Sequence, residues 1–402
     1  MSNTFYLGYI LETILISVTV AAAVTPVSIR LAKKWGIIDK PEEARRVHRR
    51  PTPRFGGMAI FLGTTAALLI PAGMSEQIKV AMLGGILMYG LGVADDIHDI
   101  KPITKFIGQF LIASLVYALG VRIRFISNYF GLENADVNAN VILGEGVAFL
   151  LTVFWIVGVT NAVNLMDGLD GLAAGSVAIM ASSLAYIAYI HGARLGAMPV
   201  CIALVAVAGA CIGFLPYNFS PAKTFMGDGG ALYLGYMIAV LSVVSPLKRA
   251  TVIGAIIPIM TLAVPLFDTA MAMLRRTLKH ESIMHADRGH LHHHLMAAGF
   301  GQRRSVLVIY GIVAIMGMVA VLISRDLYID AVFLGMVALL YMGIIMIPRK
   351  SQRGIKRIIT QDVMELEKQY FVEYLNAERE RRKREKEENL LEDEQENEAF
   401  ED

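Results

Sequence analysis

Aspartates stand in four short islands of an otherwise apolar chain: Asp95-Asp96-Ile97-His98-Asp99, Asn164 through Gly171 (with Asp167 and Asp170), Phe225-Met226-Gly227-Asp228-Gly229, and Pro265-Leu266-Phe267-Asp268. Carboxylates at the ends of hydrophobic runs are costly to keep there and mark function. Adjacent carboxylates such as Asp95 and Asp96 repel one another unless a cation lies between them. A hard divalent cation such as Mg2+ suits an oxygen-rich site of this kind, completing its shell with water and phosphate. Helix capping accounts for one Asp after Asn164 but not for an Asn and two Asp together. The glycines around Asp228 let a ligand approach the backbone, and the amino terminus of the following helix favours phosphate. Asp268 reads equally well as a ligand or as a buried hydrogen-bonding residue.

The segment His285-Ala286-Asp287-Arg288-Gly289-His290-Leu291-His292-His293-His294 carries five of the nine histidines. Clustered imidazoles suggest zinc. No cysteine is near, however, and Arg275, Arg276, Lys279, Arg288, Arg303 and Arg304 make the loop basic, so phosphate binding is the favoured reading. His48, Arg49 and Arg50, before Pro51-Thr52-Pro53-Arg54-Phe55-Gly56-Gly57, form a second basic patch.

These islands need elements to hold them. Of the 402 residues, 55% are hydrophobic and only 18% charged, and mean hydropathy is +0.54. Long apolar runs recur to about Pro348, which predicts an all-α polytopic membrane protein rather than a soluble or nucleic-acid-binding one. Eleven transmembrane spans are predicted, at about 7–27, 56–70, 78–93, 106–120, 146–163, 171–190, 198–214, 231–244, 252–273, 306–323 and 329–347. The first is read as a retained span, since no cleavage site follows a short leader. With the amino terminus outside, only Lys79, Arg122, Arg124, Arg194, Lys248, Arg249 and Arg325 of the 37 Lys and Arg residues fall on the outer side. Removing the 12 in the tail leaves 18 against 7, so basic-residue asymmetry still puts the carboxyl terminus in the cytoplasm. All four islands and the His loop then face the cytoplasm. The outer segment 121–145 alternates as Arg122-Ile123-Arg124-Phe125-Ile126 and resumes at Val141-Ile142-Leu143, which predicts a small extracytoplasmic β-hairpin. Residues 1–348 are expected to form the transmembrane catalytic domain. Residues 349–402 are expected to form a charged cytoplasmic tail, helical at first and then disordered. Cys201 and Cys211, ten residues apart on one helix, lie too far apart for a disulfide.

From about Arg45 to Met296 the ordered motifs resemble the polyprenyl-phosphate N-acetylhexosamine-1-phosphate transferase superfamily, glycosyltransferase family 4. The resemblance implies transfer of GlcNAc-1-phosphate from UDP-GlcNAc to undecaprenyl phosphate, giving undecaprenyl-pyrophosphoryl-GlcNAc and UMP. That is the first membrane step of a cell-wall or surface glycopolymer. It further implies Mg2+, with Mn2+ as a substitute, a bacterial plasma-membrane location and a homodimer. By similarity, Asp96 and Asp228 are the metal ligands and Asp95 the base or organiser for the lipid phosphate. Asn164, Asp167, Asp170 and Phe225 line the nucleotide site. Arg288, His290, His292 and His293 hold the sugar-phosphate end, and Lys101 or Lys105 contacts phosphate. Asp287 through His293 resembles the pattern of enzymes using UDP-GlcNAc, and the Pro-x-His-His-His run of phospho-N-acetylmuramoyl-pentapeptide transferases is absent. Gly230-Ala231 departs from a common Gly-Ser pair, and the charged tail has no family role to carry over. Three alternatives stay open: the same reaction with another UDP-N-acetylhexosamine, remotely an ion-coupled transporter, and a zinc-binding membrane protein suggested by the His loop alone. The islands sit at span ends, without the inverted repeat typical of transporters.

Overall fold

The computed structural model describes residues 3–39, 51–69, 75–123, 125–127, 140–192, 196–245, 253–278 and 291–346. The tail, His48 to Arg50, and His285 through His290 with Arg288 lie outside these residues.

The described chain is almost wholly helical. The amino-terminal half comprises α1 (Asn3–Trp35), α2 (Gly57–Leu69), α3 (Glu76–His98), α4 (Pro102–Ala118), α5 (Glu145–Met166) and α6 (Leu172–Ile190). Then follow α7 (Met198–Asn218), α8 (Gly227–Val244), α9 (Ile253–Thr261), α10 (Ala263–Leu278), α11 (Leu291–Ala297), α12 (Gln302–Ser324) and α13 (Tyr328–Met346). Seven of them are long and apolar enough to cross a membrane: α1, α3, α5, α6, α7, α8 and α12. The chain is thus a multi-pass membrane protein. Helices α2, α4 and α13 are apolar but shorter. The ninth expected span is divided between α9 and α10 at Leu262. Pro265 has no N–H to offer the carbonyl of Thr261, so the helical ladder is interrupted there.

Helix α8 is the axis. It packs against α3, α5 and α2, while α7 beside it packs against α1, α6 and α2. In α8, 89% of the most apolar window is buried, against 28% in α3 and 17% in α1. Outer helices turn Leu11, Leu15, Phe106, Leu111, Leu150, Phe154 and Leu339 outward, as lipid contact requires. Cys201 and Cys211 are buried free thiols, as their spacing demands.

Two small antiparallel pairs complete the fold. Strands β3 (Phe125–Ser127) and β4 (Asn140–Ile142) pair Phe125 with Ile142 and Ser127 with Asn140, the hairpin that the alternation predicts. Strands β1 (Ile38–Asp39) and β2 (Thr52–Pro53) form a second pair that no sequence pattern announced.

Local chemistry places the ends of the helices. The Ser75 hydroxyl accepts the Ile78 N–H at the start of α3, and Asp99 ends that helix in the left-handed conformation. Pro102 opens α4 at a position where its missing N–H costs nothing. Gly171, at φ 80°, turns the chain from α5 into α6.

Candidate active site

The Pro51–Gly57 motif acts first through its backbone. Pro53 O accepts the Phe225 N–H at 2.8 Å and the Thr224 hydroxyl at 2.9 Å. The Gly56 and Gly57 N–H groups donate to Phe225 O and Met226 O at 2.8 Å each. Residues 53–57 therefore form a rail along the loop that delivers Phe225 and Asp228. At Gly227 the backbone has φ 70°, and a Cβ would lie 2.5 Å from Asp96 Oδ2, so only glycine fits.

Asp96, at the end of α3, caps the amino terminus of α8. Its oxygens accept the N–H groups of Asp228 at 2.8 Å and Gly229 at 2.9 Å, and Arg54 Nε lies 3.1 Å away. Its side chain is only 1% exposed. Asp228 is the carboxylate that faces open space. Lys105 Nζ and Asn164 Nδ2 each donate to its Oδ1 at 2.7 Å, and the other arm of Arg54 binds its Oδ2. Lys105 also reaches Asp95 Oδ2 at 2.7 Å, and Asp95 Oδ1 accepts the Ile100 N–H at 2.9 Å. Lys101 is exposed at the start of α4, so Lys105 is the lysine brought into the centre.

The result is an alternating cluster of three carboxylates and two cations. Burial lowers the Arg54 pKa, but the charges of Asp228, Asp96, Asp167 and Asp95 outweigh it, and the net effect is to raise it. At the end of α5, Asp167 is pushed up to about 7, first by burial and then by the charge of Asp228, with Arg54 opposing.

Beside Asp228 opens a cavity of about 360 Å3, lined by Arg54, Asn164, Asp167, Asp170, Phe225, Asp228, His292, His293, Asn218, Asp39 and Gln302 among others. Such a volume suits a small ligand. Most of the residues expected to hold nucleotide and sugar phosphate thus meet around one space. Neither Asp95 nor Asp96 lines it. Asp170 Oδ2 accepts the Ala222 N–H at 3.0 Å, tying the 167–171 turn to the loop before Phe225. Buried Asn218 joins the same two segments, accepting from Gly171 N at 3.1 Å and donating to Thr224 O at 2.9 Å. The histidines arrive on α11, whose first N–H, Leu291, donates to Asp268 Oδ1 at 2.9 Å. Asp268, half-buried, thus makes a hydrogen bond at the start of α11. A Cβ at Gly168 would lie 2.6 Å from the His292 ring, so the glycine permits that approach.

Arg54, Asn218 and Gln302 were not singled out from sequence. Arg54 was legible only as a member of the Pro51–Gly57 motif, with no role of its own. Asn218, a polar residue closing a long apolar run, was a signal available and unused.

Among the described residues no three or more His, Cys, Asp or Glu side chains form a metal cage by themselves. Mg2+ asks for less, one or two carboxylates with water and phosphate oxygens, and Asp228 at the cavity edge fits that demand.

A family model described as Glycosyl transferase family 4 matches residues 78–246, which span three of the four islands. A Bacillus subtilis protein named probable undecaprenyl-phosphate N-acetylglucosaminyl 1-phosphate transferase is 38% identical over 84% of this chain and 91% of its own length. Decaprenyl-phosphate N-acetylglucosaminephosphotransferase of Mycobacterium tuberculosis is 34% identical over 71% of this chain and 76% of its own. Phospho-N-acetylmuramoyl-pentapeptide-transferase of Geobacillus kaustophilus is 34% identical over 70% and 87%. Likeness of that extent makes the chain a member of glycosyl transferase family 4, a polyprenyl-phosphate hexosamine-1-phosphate transferase.

Proposed function

We propose that the protein transfers GlcNAc-1-phosphate from UDP-GlcNAc to undecaprenyl phosphate, releasing UMP, on the cytoplasmic face of a bacterial plasma membrane. The observation that carries this reading is Asp228, ringed by Lys105, Arg54 and Asn164 at the edge of a cavity lined by Phe225, Asp167 and two histidines. Cations held by carboxylates beside a cavity can turn to phosphate oxygens, which accept equally strong charge-assisted hydrogen bonds. Names borne by the Bacillus and Mycobacterium relatives support GlcNAc as the sugar, and the Asp287–His293 pattern agrees.

In the reaction a lipid-phosphate oxygen attacks the β-phosphorus of the sugar nucleotide. A new P–O bond forms, the bond to the UMP phosphate oxygen breaks, and UMP carries away the electron pair. Lys105, held between Asp95 and Asp228, is placed to neutralise the incoming phosphate, and Asp95 orients that ammonium. Phe225 offers a ring for the uracil, and Asp167 and Asp170 offer acceptors for its polar edge and the ribose. His292 and His293, with Arg288 and His290 of the adjoining segment, are proposed to hold the sugar-phosphate end. Asp228 is the proposed holder of Mg2+, which when bound spreads the charge of the pyrophosphate. Asp96, also expected as a ligand, has both oxygens on α8 and Arg54, an arrangement that orients Asp228. Direct attack is preferred to a phosphoryl-enzyme, because the lipid phosphate is already a competent nucleophile.

Eleven crossings, an outside amino terminus, a cytoplasmic tail after residue 348 and a homodimer belong to the same reading. Purified protein with undecaprenyl phosphate, Mg2+ and a panel of UDP-sugars should release UMP with UDP-GlcNAc. Release only with UDP-N-acetylmuramoyl-pentapeptide, or with a different UDP-N-acetylhexosamine, would replace the donor. No release with any donor, together with solute uptake in liposomes, would replace the enzyme by a transporter.

A further inference from the structure

Helix α4 meets the rest of the bundle through few side chains. Gln109, Ala113, Val116 and Tyr117 are buried, whereas Ile103, Phe106, Ile107, Phe110, Leu111 and Leu115 are exposed. Lys105 stands one turn before Gln109 on the same stripe. At the far end of this stripe the Tyr117 hydroxyl donates to Glu145 of α5, at 3.1 Å to its carbonyl and 2.7 Å to its Oε2. One turn from Lys105 the polar contact to α5 is made by Gln109.

Gln109 is completely buried, and its carboxamide pairs with Asn161 of α5 in both directions. Asn161 Nδ2 donates to Gln109 Oε1 at 2.5 Å, and Gln109 Nε2 donates to Asn161 Oδ1 at 3.4 Å. Asn161 Nδ2 is also fastened to its own helix at Val157 O, at 2.8 Å. Asn161 precedes Asn164 by three residues and so shares its face of α5. Neither amide lines the cavity. A polar pair between apolar helices, with one partner fully buried, is expensive and asks for a reason.

Its geometry supplies one. A reciprocal amide pair closes in only one register, since a slip of one residue moves a helix by about 1.5 Å and breaks both bonds. That same register brings Lys105 Nζ and Asn164 Nδ2 onto the one oxygen Asp228 Oδ1. We propose that the Gln109–Asn161 amide pair is the positioning device of the centre, fixing α4 against α5 so that Lys105 and Asn164 converge on Asp228. The role in turnover rests on the reading of Asp228 as the phosphate-transfer centre; the role in placing Lys105 does not.

The test uses full-length protein carrying Gln109→Leu, Asn161→Leu, or the exchange Gln109→Asn with Asn161→Gln, which keeps the combined length of the pair. Displacing a reacting group by a fraction of a helical step should lower kcat by about tenfold or more in each Leu variant. KM for the UDP-sugar should stay within roughly twofold, because the nucleotide pocket is untouched. The exchange should recover most of kcat, and unfolding midpoints should stay close to wild type. Acylation of Lys105 by acetic anhydride, read by peptide mass, supplies a readout that needs no activity. It should run several-fold faster in Gln109→Leu, where the ammonium leaves its two carboxylates, and return to the slow rate in the exchange. Wild-type kcat in both Leu variants, or unaltered Lys105 acylation, would overturn the proposal. Should the wild type release no UMP from any donor, the reaction falls and the acylation rates alone decide the pair.

Discussion

The carboxylate of Asp96 accepts the backbone N–H of Asp228 at 2.8 Å, so one aspartate holds the other in place. The two were expected as equivalent metal ligands, yet one side chain is 1% exposed and the other 15%. The N–H groups on Asp96 belong to the backbone and cannot leave it. Asp228 is held instead by side chains, Lys105, Asn164 and Arg54, that can turn to a phosphate and free an oxygen for a cation. Asp228→Asn should therefore weaken Mg2+ binding by at least about tenfold, as loss of a direct carboxylate ligand does. Asp96→Asn should reduce turnover as severely while shifting Mg2+ affinity far less. Mn2+ titration followed by electron paramagnetic resonance compares the two variants without relying on catalysis. Equal losses of affinity would make Asp96 a ligand after all.

Arg54 spans the same pair, with Nε on Asp96 and the far nitrogen on Asp228. This is a two-pronged contact, and a lysine carries the charge without the fork. Arg54→Lys and Arg54→Ala should both lower kcat/KM by roughly 10²-fold, the scale of a misplaced reacting group. Steady-state UMP release checks this, and a wild-type rate in Arg54→Lys would show that charge alone suffices.

That arginine also shows where sequence reading stops. Apolar runs gave the helices because lipid contact demands them, and Pro265 accounts for the one expected span that is divided. The aspartate islands were legible because carboxylates are rare in such runs. Arg54 was not, since its partners lie 42 and 174 residues away and a basic residue beside a span has an ordinary explanation. The strand pair β1–β2 is two residues long on each side, too short for any periodicity. Gln109, Asn161 and Asn218 were visible as polar residues in or at the end of apolar helices, but only contacts reveal which of them face one another. The bond from Leu291 N to the Asp268 carboxylate is likewise a contact across 23 residues that no spacing announces.

Asp167 gives the centre a pH signature. Burial raises its pKa to about 7 from an ordinary value of 3.8. The folded protein therefore binds this proton more tightly than the unfolded chain, and the ionised carboxylate works against the fold. That penalty is absent below the ordinary value, grows between the two values and is complete above the higher one. Asp167→Asn cannot ionise, so it should stabilise the metal-free protein by about 1–4 kcal/mol at pH 8 and by much less at pH 5. Thermal unfolding in EDTA at both values measures the difference. An equal gain at the two values would mean that packing, not charge, is responsible.

Two residues outside the histidine helix α11 shape its approach to the cavity: Asp268 takes its first N–H, and Gly168 leaves room for the His292 ring. A methyl group at residue 168, 2.6 Å from that ring, must push the helix or the 167–171 turn aside. Loss of the Asp268 oxygen frees the start of α11 instead. Both changes act on the side of the cavity that holds His292 and His293, while Asp95, Lys105 and Asp228 themselves lie on α3, α4 and α8. Gly168→Ala and Asp268→Ala should therefore each raise KM for the UDP-sugar by about tenfold, the signature of lost uniform binding, and leave KM for the lipid phosphate near wild type. Asp268→Asn keeps an acceptor oxygen for Leu291 N and should retain most of the donor affinity. Initial rates with each substrate varied in turn decide the matter. A rise in lipid KM instead would move α11 to the acceptor side of the site.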